Sequence, residues 1–306
     1  MTPDRLDDTR APSEEDLLRS LRRKLAKRAH MAQAPPPVPS RPPAAVPHAI
    51  VYRRDLPREA SRPVVESPGI CLPLATCIQG REEASRPDAP PFYLIEGPAT
   101  PNESLAAALA EALPRALAEL PPHDGLPVAP QDACFLDIET TGLGTALVFL
   151  IGTLAWRGGR LVCRQLLART YAEEASILAA FADEARSARL LVTFNGKAFD
   201  VPSLRARAAA AGVVLPDVPL HFDLLHAARR RYRGVAPDCR LQTLERLVCC
   251  RHRTDDIAGA DIGRAYHHFV RTADARELAL IVEHNRLDLL TLAELMARLL
   301  LRTPGQ

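Results

Sequence analysis

The stretch ACFLDIETTGLG, residues 133–144, decides how the second half of the chain is interpreted. Its apolar run ends in carboxylates, which is typical of a buried strand. Asp137 and Glu139 are two residues apart and therefore point to the same side of that strand. Two carboxylates in a buried place repel each other, and a hard divalent cation such as Mg²⁺ relieves the repulsion. The alternative is a solvated strand end whose acids cap the next turn.

The residues TTGL, which follow the two acids, favour the first interpretation. Gly142 is expected to let the backbone turn tightly. Thr140 and Thr141 then offer donors near whatever the carboxylates bind. The loop that begins at Thr140 is therefore a candidate substrate-binding loop.

A third acid follows the next buried strand, in the stretch FNGKAFD at 194–200. Asp200 stands at the start of a predicted helix, and Asn195 is expected to cap the preceding turn. Lys197 could meet a phosphate group of a substrate. The alternative is an ordinary loop between a strand and a helix, with Asp200 as the N-cap residue.

The stretch HFDLLHAARRRYRG at 221–234 adds one acid and the most basic segment of the second half. Asp223 could orient another site residue, or it could cap the helix that follows. The cluster of Arg229, Arg230 and Arg231 could follow a phosphate backbone. A solvated helix face is the more ordinary role of such a charge run.

The last candidate is HNRLD at 284–288, inside a long helical pattern. His284 and Asp288 are four residues apart, so they lie one turn apart on the same face of the helix. The pair could be a metal ligand set, a catalytic pair or a surface ion pair. A zinc site is disfavoured, because no second cluster of His and Cys at ligand spacing lies nearby.

The order of the predicted elements indicates an α/β fold. Apolar runs at ALVFLIGTLAW and LVCRQLLART predict two strands joined by a hairpin turn at WRGGR. Helical patterns follow at 173–188, 201–212, 224–232, 241–248, 263–273 and from about 276 to 301. Strands and a hairpin followed by helices predict a mixed sheet covered by helices.

The first part of the chain has a different composition. Of the 28 prolines, 23 fall within residues 1–130, so long regular elements are not expected there. APPPVPSRPP at 34–43 predicts an extended linker. Two helices are expected, one at SEEDLLRSLRRKLAKRAH (13–30) and one at NESLAAALAEALPRALAEL (102–120), which Pro114 is expected to kink. Residues 1–128 are therefore predicted to be partly disordered, with short helices, and 129–303 to form the folded domain.

Composition excludes some classes of protein. The 306 residues are 47% hydrophobic and 25% charged, as in a globular protein, and the net charge of +2 implies neither nucleic acid nor membrane. The longest apolar run is too short to span a bilayer, and the N-terminus lacks the pattern of a signal peptide. The seven cysteines contain no CxxC pair. These features predict a cytoplasmic protein without a disulfide framework.

Taken together, DIETTGLG, FNGKAFD, HFDLLHAARR, LQTLE and HNRLDLLTL resemble the YprB-type, ribonuclease H-like family of predicted DEDD exonucleases. The resemblance covers about residues 130–300. It implies a 3′–5′ exonuclease acting on DNA or RNA with two Mg²⁺ or Mn²⁺ ions. The implied ligands are Asp137, Glu139, Asp200 and Asp288.

The resemblance also implies roles for several other residues. Arg229–Arg231 and Lys197 would hold the substrate backbone, and Leu143 would wedge against the terminal base. His284 would orient or deprotonate the attacking water. The broader superfamily has tyrosine four residues before the last aspartate or histidine five residues before it, whereas this chain has histidine at the tyrosine spacing and Glu283 at the histidine spacing.

Two other functions stay open at this stage. One is a non-catalytic ribonuclease H-like module that binds nucleic acid or a protein partner, against which the complete acidic set argues. The other is a hydrolase of free nucleotides, which would need a closed pocket. For residues 1–128 a protein partner is a candidate ligand.

Overall fold

The computed structural model describes residues 71–144, 146–254 and 256–301. The predicted helix at 13–30 and the linker at 34–43 lie outside the described residues. The described part contains one seven-stranded sheet, with the strands in the order β1-β2-β5-β4-β3-β6-β7. Its strands are β1 Arg81–Glu83, β2 Phe92–Pro98, β3 Ala133–Thr140, β4 Val148–Arg157, β5 Arg160–Leu167, β6 Leu190–Thr193 and β7 Leu220–Asp223.

The sheet is mixed, as predicted. β3 pairs with β6, and β6 with β7, in parallel, whereas the other neighbours are antiparallel. The hairpin predicted at WRGGR is confirmed between β4 and β5. Its two central residues, Gly158 and Gly159, have φ of 55° and 78°, which residues with a side chain rarely adopt.

Eight helices surround the sheet in the described part of the chain. They are α1 Leu74–Cys77, α2 Glu103–Ala118, α3 Glu174–Ala185, α4 Asp200–Ala210, α5 Leu224–Tyr232, α6 Leu241–Val248, α7 Ile262–Thr272 and α8 Arg276–Leu300. Short 3-10 turns cover Pro130–Asp132 and Tyr171–Glu173. Among these helices none is both long and apolar enough to cross a membrane.

The helix boundaries follow local chemistry. Asn102 caps α2 by accepting a hydrogen bond from the backbone N–H of Leu105 at 3.1 Å, and Pro114 lies inside that helix without ending it. Gly212, with φ of 67°, follows the end of α4, where the sequence predicted the helix to close. The long helix predicted from about 276 to 301 is observed at Arg276–Leu300.

The structure adds two strands that the sequence analysis did not predict. β2 pairs with β5 from Tyr93 to Pro98, and β1 pairs with β2. In the described residues before 129, the sheet therefore continues past the predicted domain limit, with three residues in β1 and seven in β2. The extent of the irregular region remains a prediction, because residues 1–70 lie outside the described part.

Two apolar clusters form the core. One contains Leu136 and Ile138 of β3 with residues of α3, α4, α7 and the first half of α8. The other contains Phe135 of β3 with residues of α2, α5 and the second half of α8. Side chains of β3 alternate between the two, as expected for a strand buried on both faces. Residues 283–288 of α8, all polar except Leu287, lie between the two apolar halves of that helix.

Candidate active site

Four acidic residues predicted as ligands come from three separate elements. Asp137 and Glu139 stand at alternate positions of β3, Asp200 is the first residue of α4, and Asp288 belongs to α8. The carboxylate of Asp200 accepts a hydrogen bond from the backbone N–H of Ile138 at 3.3 Å, which joins α4 to β3 between the first two acids. The fold thus brings together residues that are up to 151 positions apart in the sequence.

Burial makes the two strand carboxylates hard to ionise. Burial, and then repulsion by Asp288, Glu139 and Asp200, raises the pKa of Asp137 well above its ordinary value. Burial also raises the pKa of Glu139 to about 8, with His284 opposing the rise and Asp288 and Asp200 adding to it. Each acid therefore feels the charge of the others, as expected for one shared pocket.

The pKa values of the other two acids are raised as well. Burial raises the pKa of Asp200 to about 7, against the hydrogen bonds from two backbone N–H groups, and Asp223 and Asp288 add to the rise. Burial raises the pKa of Asp288 as well, although Arg253 and His284 oppose it. At neutral pH the pocket therefore favours a bound positive charge or protons.

His284 lies between two carboxylates. Its Nδ1 is 2.6 Å from Oδ1 of Asp256, and its Nε2 is 3.5 Å from Oδ2 of Asp288, one helical turn away. Burial lowers the pKa of His284, but the hydrogen bond to Asp256 and the charges of Asp288 and Glu139 outweigh burial and raise it to about 9. Asp256 thus holds the imidazole by its Nδ1 atom, and the Nε2 atom faces the acids of the pocket.

Arg253 is a site residue that the sequence analysis missed. Its guanidinium makes an ion pair with Asp288 and another with Glu245 of α6, at 2.5 Å from Oε2. Glu245 is 1% exposed and also binds Arg251 at 2.9 Å. The LQTLE segment thus carries the acid that holds Arg253 against Asp288. A glutamate on a short helix before the charged loop RHR is the only signal that the sequence offers for this arrangement.

Asn285 was also missed, although it follows His284 directly. Its side-chain amide donates to Asp137, and Gln165 of β5 donates to its carbonyl oxygen. A polar residue at 165 in the strand RLVCRQLL was the only hint in the sequence.

The loop after β3 turns differently from the prediction. Gly144, with φ of 77°, adopts the left-handed conformation, whereas Gly142 does not, and a Cβ atom there would make an ordinary contact with Ala146. The prediction that Gly142 allows the turn is therefore wrong. Thr140 Oγ1 donates to the carbonyl of Gly142 at 2.6 Å, and Leu143 is 84% exposed.

Close packing holds the other threonine of this loop. The backbone N–H of Thr141 donates to the carbonyl of Leu147 at 2.9 Å. A Cβ atom at Gly263 of α7 would lie 2.4 Å from the carbonyl oxygen of Thr141. Glycine at 263 thus lets α7 approach the loop, and the exposed Leu143 projects from a backbone that is held in place.

Asp223 caps the following helix and also accepts hydrogen bonds from the loop before α4, while its role in orienting a site residue stays a prediction. It caps α5 by accepting from the backbone N–H of Leu225 at 3.1 Å. The same carboxylate accepts from the backbone N–H groups of Asn195 at 2.8 Å and Lys197 at 3.2 Å. Asn195 has a φ of 65°, a left-handed conformation that asparagine tolerates. Asp223 therefore holds the loop that leads to Asp200.

The basic residues predicted to hold the substrate are Lys197 and Arg229–Arg231. Lys197 lines a cavity of about 530 Å³ together with Leu136, whose side chain points to the face of β3 opposite Asp137. Arg229, Arg230 and Arg231 belong to α5, and all three are exposed. In the part of the chain that the structure describes, none of these three arginines makes an ion pair with an acid.

The chemistry of the four acids fits a hard divalent cation. All are oxygen donors, and burial with mutual repulsion disfavours their ionised forms unless positive charge is near. Within the described ranges, however, no three or more His, Cys, Asp or Glu side chains stand in an arrangement that holds a metal ion. The ion pair between Arg253 and Asp288 is the contact that a cation would have to compete with.

The chain is similar to known proteins over the region that contains these residues. The model of a family described as RNase_H superfamily matches residues 134–300. A stretch of 166 residues is 34% identical to "Uncharacterized protein YprB" of Bacillus subtilis (strain 168), covering 53% of this chain and 40% of that protein. The chain thus spans less than half of that relative. A similar solved structure is the family B DNA polymerase of Pyrobaculum calidifontis, with 18% identity and a TM-score of 0.43 over 56% of this chain and 25% of the polymerase.

Proposed function

Because the chain belongs to the RNase_H superfamily, we propose that it is a nuclease that hydrolyses nucleic-acid phosphodiester bonds with divalent cations. The observation that supports this proposal is the pocket of four acids. Each acid is raised in pKa by burial, and three of them have no arginine partner among the described residues. Such a pocket is costly to the fold unless it binds positive charge.

The proposed ligands are the four acids, and the proposed cations are two Mg²⁺ or Mn²⁺ ions. When bound, such ions supply Lewis-acid stabilisation of the attacking and leaving oxygens of the phosphodiester. Asp137 and Glu139 provide oxygens from one face of β3, and Asp200 and Asp288 provide them from two helix positions.

His284 is the proposed base that takes the proton of the attacking water. Its pKa of about 9 means that the imidazole is protonated at neutral pH in the cation-free protein, where the hydrogen bond to Asp256 and the charges of Asp288 and Glu139 outweigh burial. Positive charge held by those acids removes two causes of the rise, and the imidazole then becomes able to accept a proton. Asp256, hydrogen-bonded to Nδ1, keeps Nε2 directed to the acids.

The substrate is proposed to be single- or double-stranded DNA or RNA, cut from the 3′ end. Leu143 is exposed on the loop after β3 and is the proposed wedge against the terminal base. Thr140, Thr141 and Gly142 form the rest of that loop, and Asn195 and Arg229–Arg231 are further proposed contacts. Lys197 remains a proposed phosphate contact, although it lines the cavity on the far face of β3.

A cytoplasmic location and a protein partner for residues 1–128 also remain proposals.

A second candidate function is a module that binds nucleic acid without cutting it. The pairing of Arg253 with Asp288 favours this candidate, because it places a cation of the chain itself at one of the four acids. A guanidinium at that carboxylate would be permanent in a non-catalytic module and displaceable in a nuclease.

The test is cleavage of end-labelled DNA and RNA of both polarities, single- and double-stranded, with Mg²⁺ or Mn²⁺. We expect shortening from the 3′ end by the wild type and loss of at least about 10³-fold in rate for Asp137→Ala. Asp183→Ala, at an exposed acid of α3 that is paired with Arg186, is the matched control and should keep the wild-type rate. Equal cleavage by Asp137→Ala, or none by the wild type, would overturn the proposal.

A further inference from the structure

Three residues on adjacent strands form one row across the sheet. Asp137 of β3 lies opposite Gly152 of β4, and Gly152 lies opposite Gln165 of β5. Residues that are directly opposite on neighbouring strands project to the same face. The row thus presents a carboxylate, a gap without a side chain, and an amide to the residues of α8.

Asn285 of α8 fills the gap above Gly152. A Cβ atom at Gly152 would lie 2.0 Å from Oδ1 of Asn285 and 2.9 Å from Cδ1 of Leu289. Asn285 is fully buried, at 0% exposure. Glycine is therefore required at 152 for α8 to approach the sheet so closely, and the space that it leaves is occupied by the side chain of Asn285.

Hydrogen bonds determine which way both amides face. The carbonyl of Val282 can only accept, so the Nε2 of Gln165, at 2.7 Å, is a donor there. The same Nε2 is 2.9 Å from Oδ1 of Asn285, which accepts. The Nδ2 of Asn285 then points to Asp137 and donates to its carbonyl oxygen at 3.1 Å and to its Oδ2 at 2.8 Å.

We infer that Gln165, Asn285 and Gly152 form a positioning unit, which holds the carboxylate of Asp137 in one orientation so that Oδ1 is left for a cation. Among the described residues no hydrogen bond reaches that Oδ1. The unit ties both the backbone and the carboxylate of Asp137 to α8, the helix that carries His284 and Asp288. This inference rests on the proposed function, since it assigns a task to residues around the proposed ligands.

Cation affinity distinguishes a purely structural role of Gln165 and Asn285 from a positioning role. If the amides only join α8 to the sheet, replacing them should lower stability and leave cation affinity unchanged in the molecules that are folded. If they orient Asp137, their loss should weaken cation binding in folded protein. Partners that orient a ligand from outside the coordination shell typically contribute about 10- to 100-fold in metal affinity.

The experiment titrates Mn²⁺ into the purified full chain and follows binding by calorimetry, with folding checked by circular dichroism and thermal melting in EDTA. Gln165→Met removes the donor that orients Asn285 and does not touch Asp137. Asn285→Ala removes the orienting amide itself. Gly97→Ala is the matched control for the strand glycine, because a Cβ atom at Gly97 would have no neighbour within 4 Å.

We expect Gln165→Met and Asn285→Ala to weaken Mn²⁺ binding about 10- to 100-fold, and Gly97→Ala to leave it unchanged. The rate constant kcat for cleavage should fall in the same two variants with KM for nucleic acid unchanged. Affinity within less than about tenfold of wild type in folded Asn285→Ala would overturn the inference while the proposed function stands. A wild type that binds no Mn²⁺ would overturn both, and it is recognised without any variant.

Variants at Gly152 distinguish the effect of this glycine on stability from the effect of Asn285 on cation affinity. We expect this variant to be destabilised, because the new methyl group clashes with Asn285. The double variant Gly152→Ala/Asn285→Ala removes the clash with Asn285 and leaves only the terminal Cδ1 of Leu289 at 2.9 Å. It should regain part of the lost stability but still bind Mn²⁺ about 10- to 100-fold more weakly than the wild type. Recovery of wild-type affinity in the double variant would overturn the inference.

Discussion

Two groups of buried or half-buried acids in this molecule differ in the partners that surround them. In the first group, each carboxylate has an arginine partner: Glu173 binds Arg169, Glu174 binds Arg207, and Glu184 binds both Arg157 and Arg164. In the second group, Asp137, Glu139 and Asp200 have no arginine partner among the described residues, and their pKa values are raised. A buried acid with an arginine partner, or with several backbone N–H donors as at Asp223, is part of the framework. The raised pKa values of Asp137, Glu139 and Asp200 indicate that these three acids call for positive charge from outside.

Asp288 lies between the two groups. It has a partner in Arg253, as a framework acid does, but its pKa is still raised because burial outweighs the guanidinium and the imidazole. The position of Asp288 shows how the two groups meet: the chain of charges from Glu245 through Arg253 ends at the pocket. Disrupting a framework pair should therefore change stability, whereas changes in the pocket should change activity.

The largest effect is expected at His284, whose Nε2 faces Asp288 at the edge of the pocket. His284→Ala should lower the rate of cleavage about 10²- to 10⁴-fold, because it removes the proposed base. The measurement is single-turnover cleavage with Mg²⁺, and His268→Ala on α7 is the control variant. A decrease of less than about tenfold would mean that His284 is not the base.

The next effect is expected at a framework pair. Arg207→Ala leaves Glu174, which is 5% exposed, without its arginine, and should cost about 3 kcal/mol in the free energy of unfolding by urea. Cation affinity of the folded protein should not change. Arg205→Ala, on the same helix, breaks an ion pair with Asp217 whose side chains are 63% and 90% exposed, and should cost less than about 1 kcal/mol. Equal losses in the two variants would contradict the comparison.

The smallest effect concerns pH in the cation-free protein. The folded-state pKa of Glu139, about 8, lies above its ordinary value of 4.5, so its contribution to stability is present below 4.5 and is lost as pH rises through 8. Glu139→Gln has no ionisable group at this position and therefore avoids this loss of stability. It should raise the free energy of unfolding at pH 8 in EDTA by at least about 1 kcal/mol.

Glu184→Gln is the matched change at a framework acid. It should lower the free energy of unfolding under the same conditions, because it weakens the ion pairs with Arg157 and Arg164. Destabilisation by both substitutions would show that Glu139 is a framework acid as well.

Much of the fold could be predicted from local sequence patterns. The alternation and the apolar runs predicted β3 to β6, and helical spacing predicted α2 to α8, because each of these elements is buried on a face that its own residues define. β1 and β2 were missed because they lie among prolines and because β2 depends on pairing with β5, and β1 on pairing with β2. The turn was assigned to Gly142 and belongs to Gly144, because two glycines so close together do not reveal which one carries the positive φ.

The sequence by itself determined the acids and their local placement. The spacing of Asp137 and Glu139 on a strand, and of His284 and Asp288 on a helix, follows from backbone geometry that any such segment obeys. Only the tertiary structure determined which side chain contacts each of these acids. Arg253 reaches Asp288 because Glu245 holds it there, and Asn285 reaches Asp137 because Gly152 leaves room. These contacts join residues up to 148 positions apart, and no local pattern encodes a distance across a folded sheet.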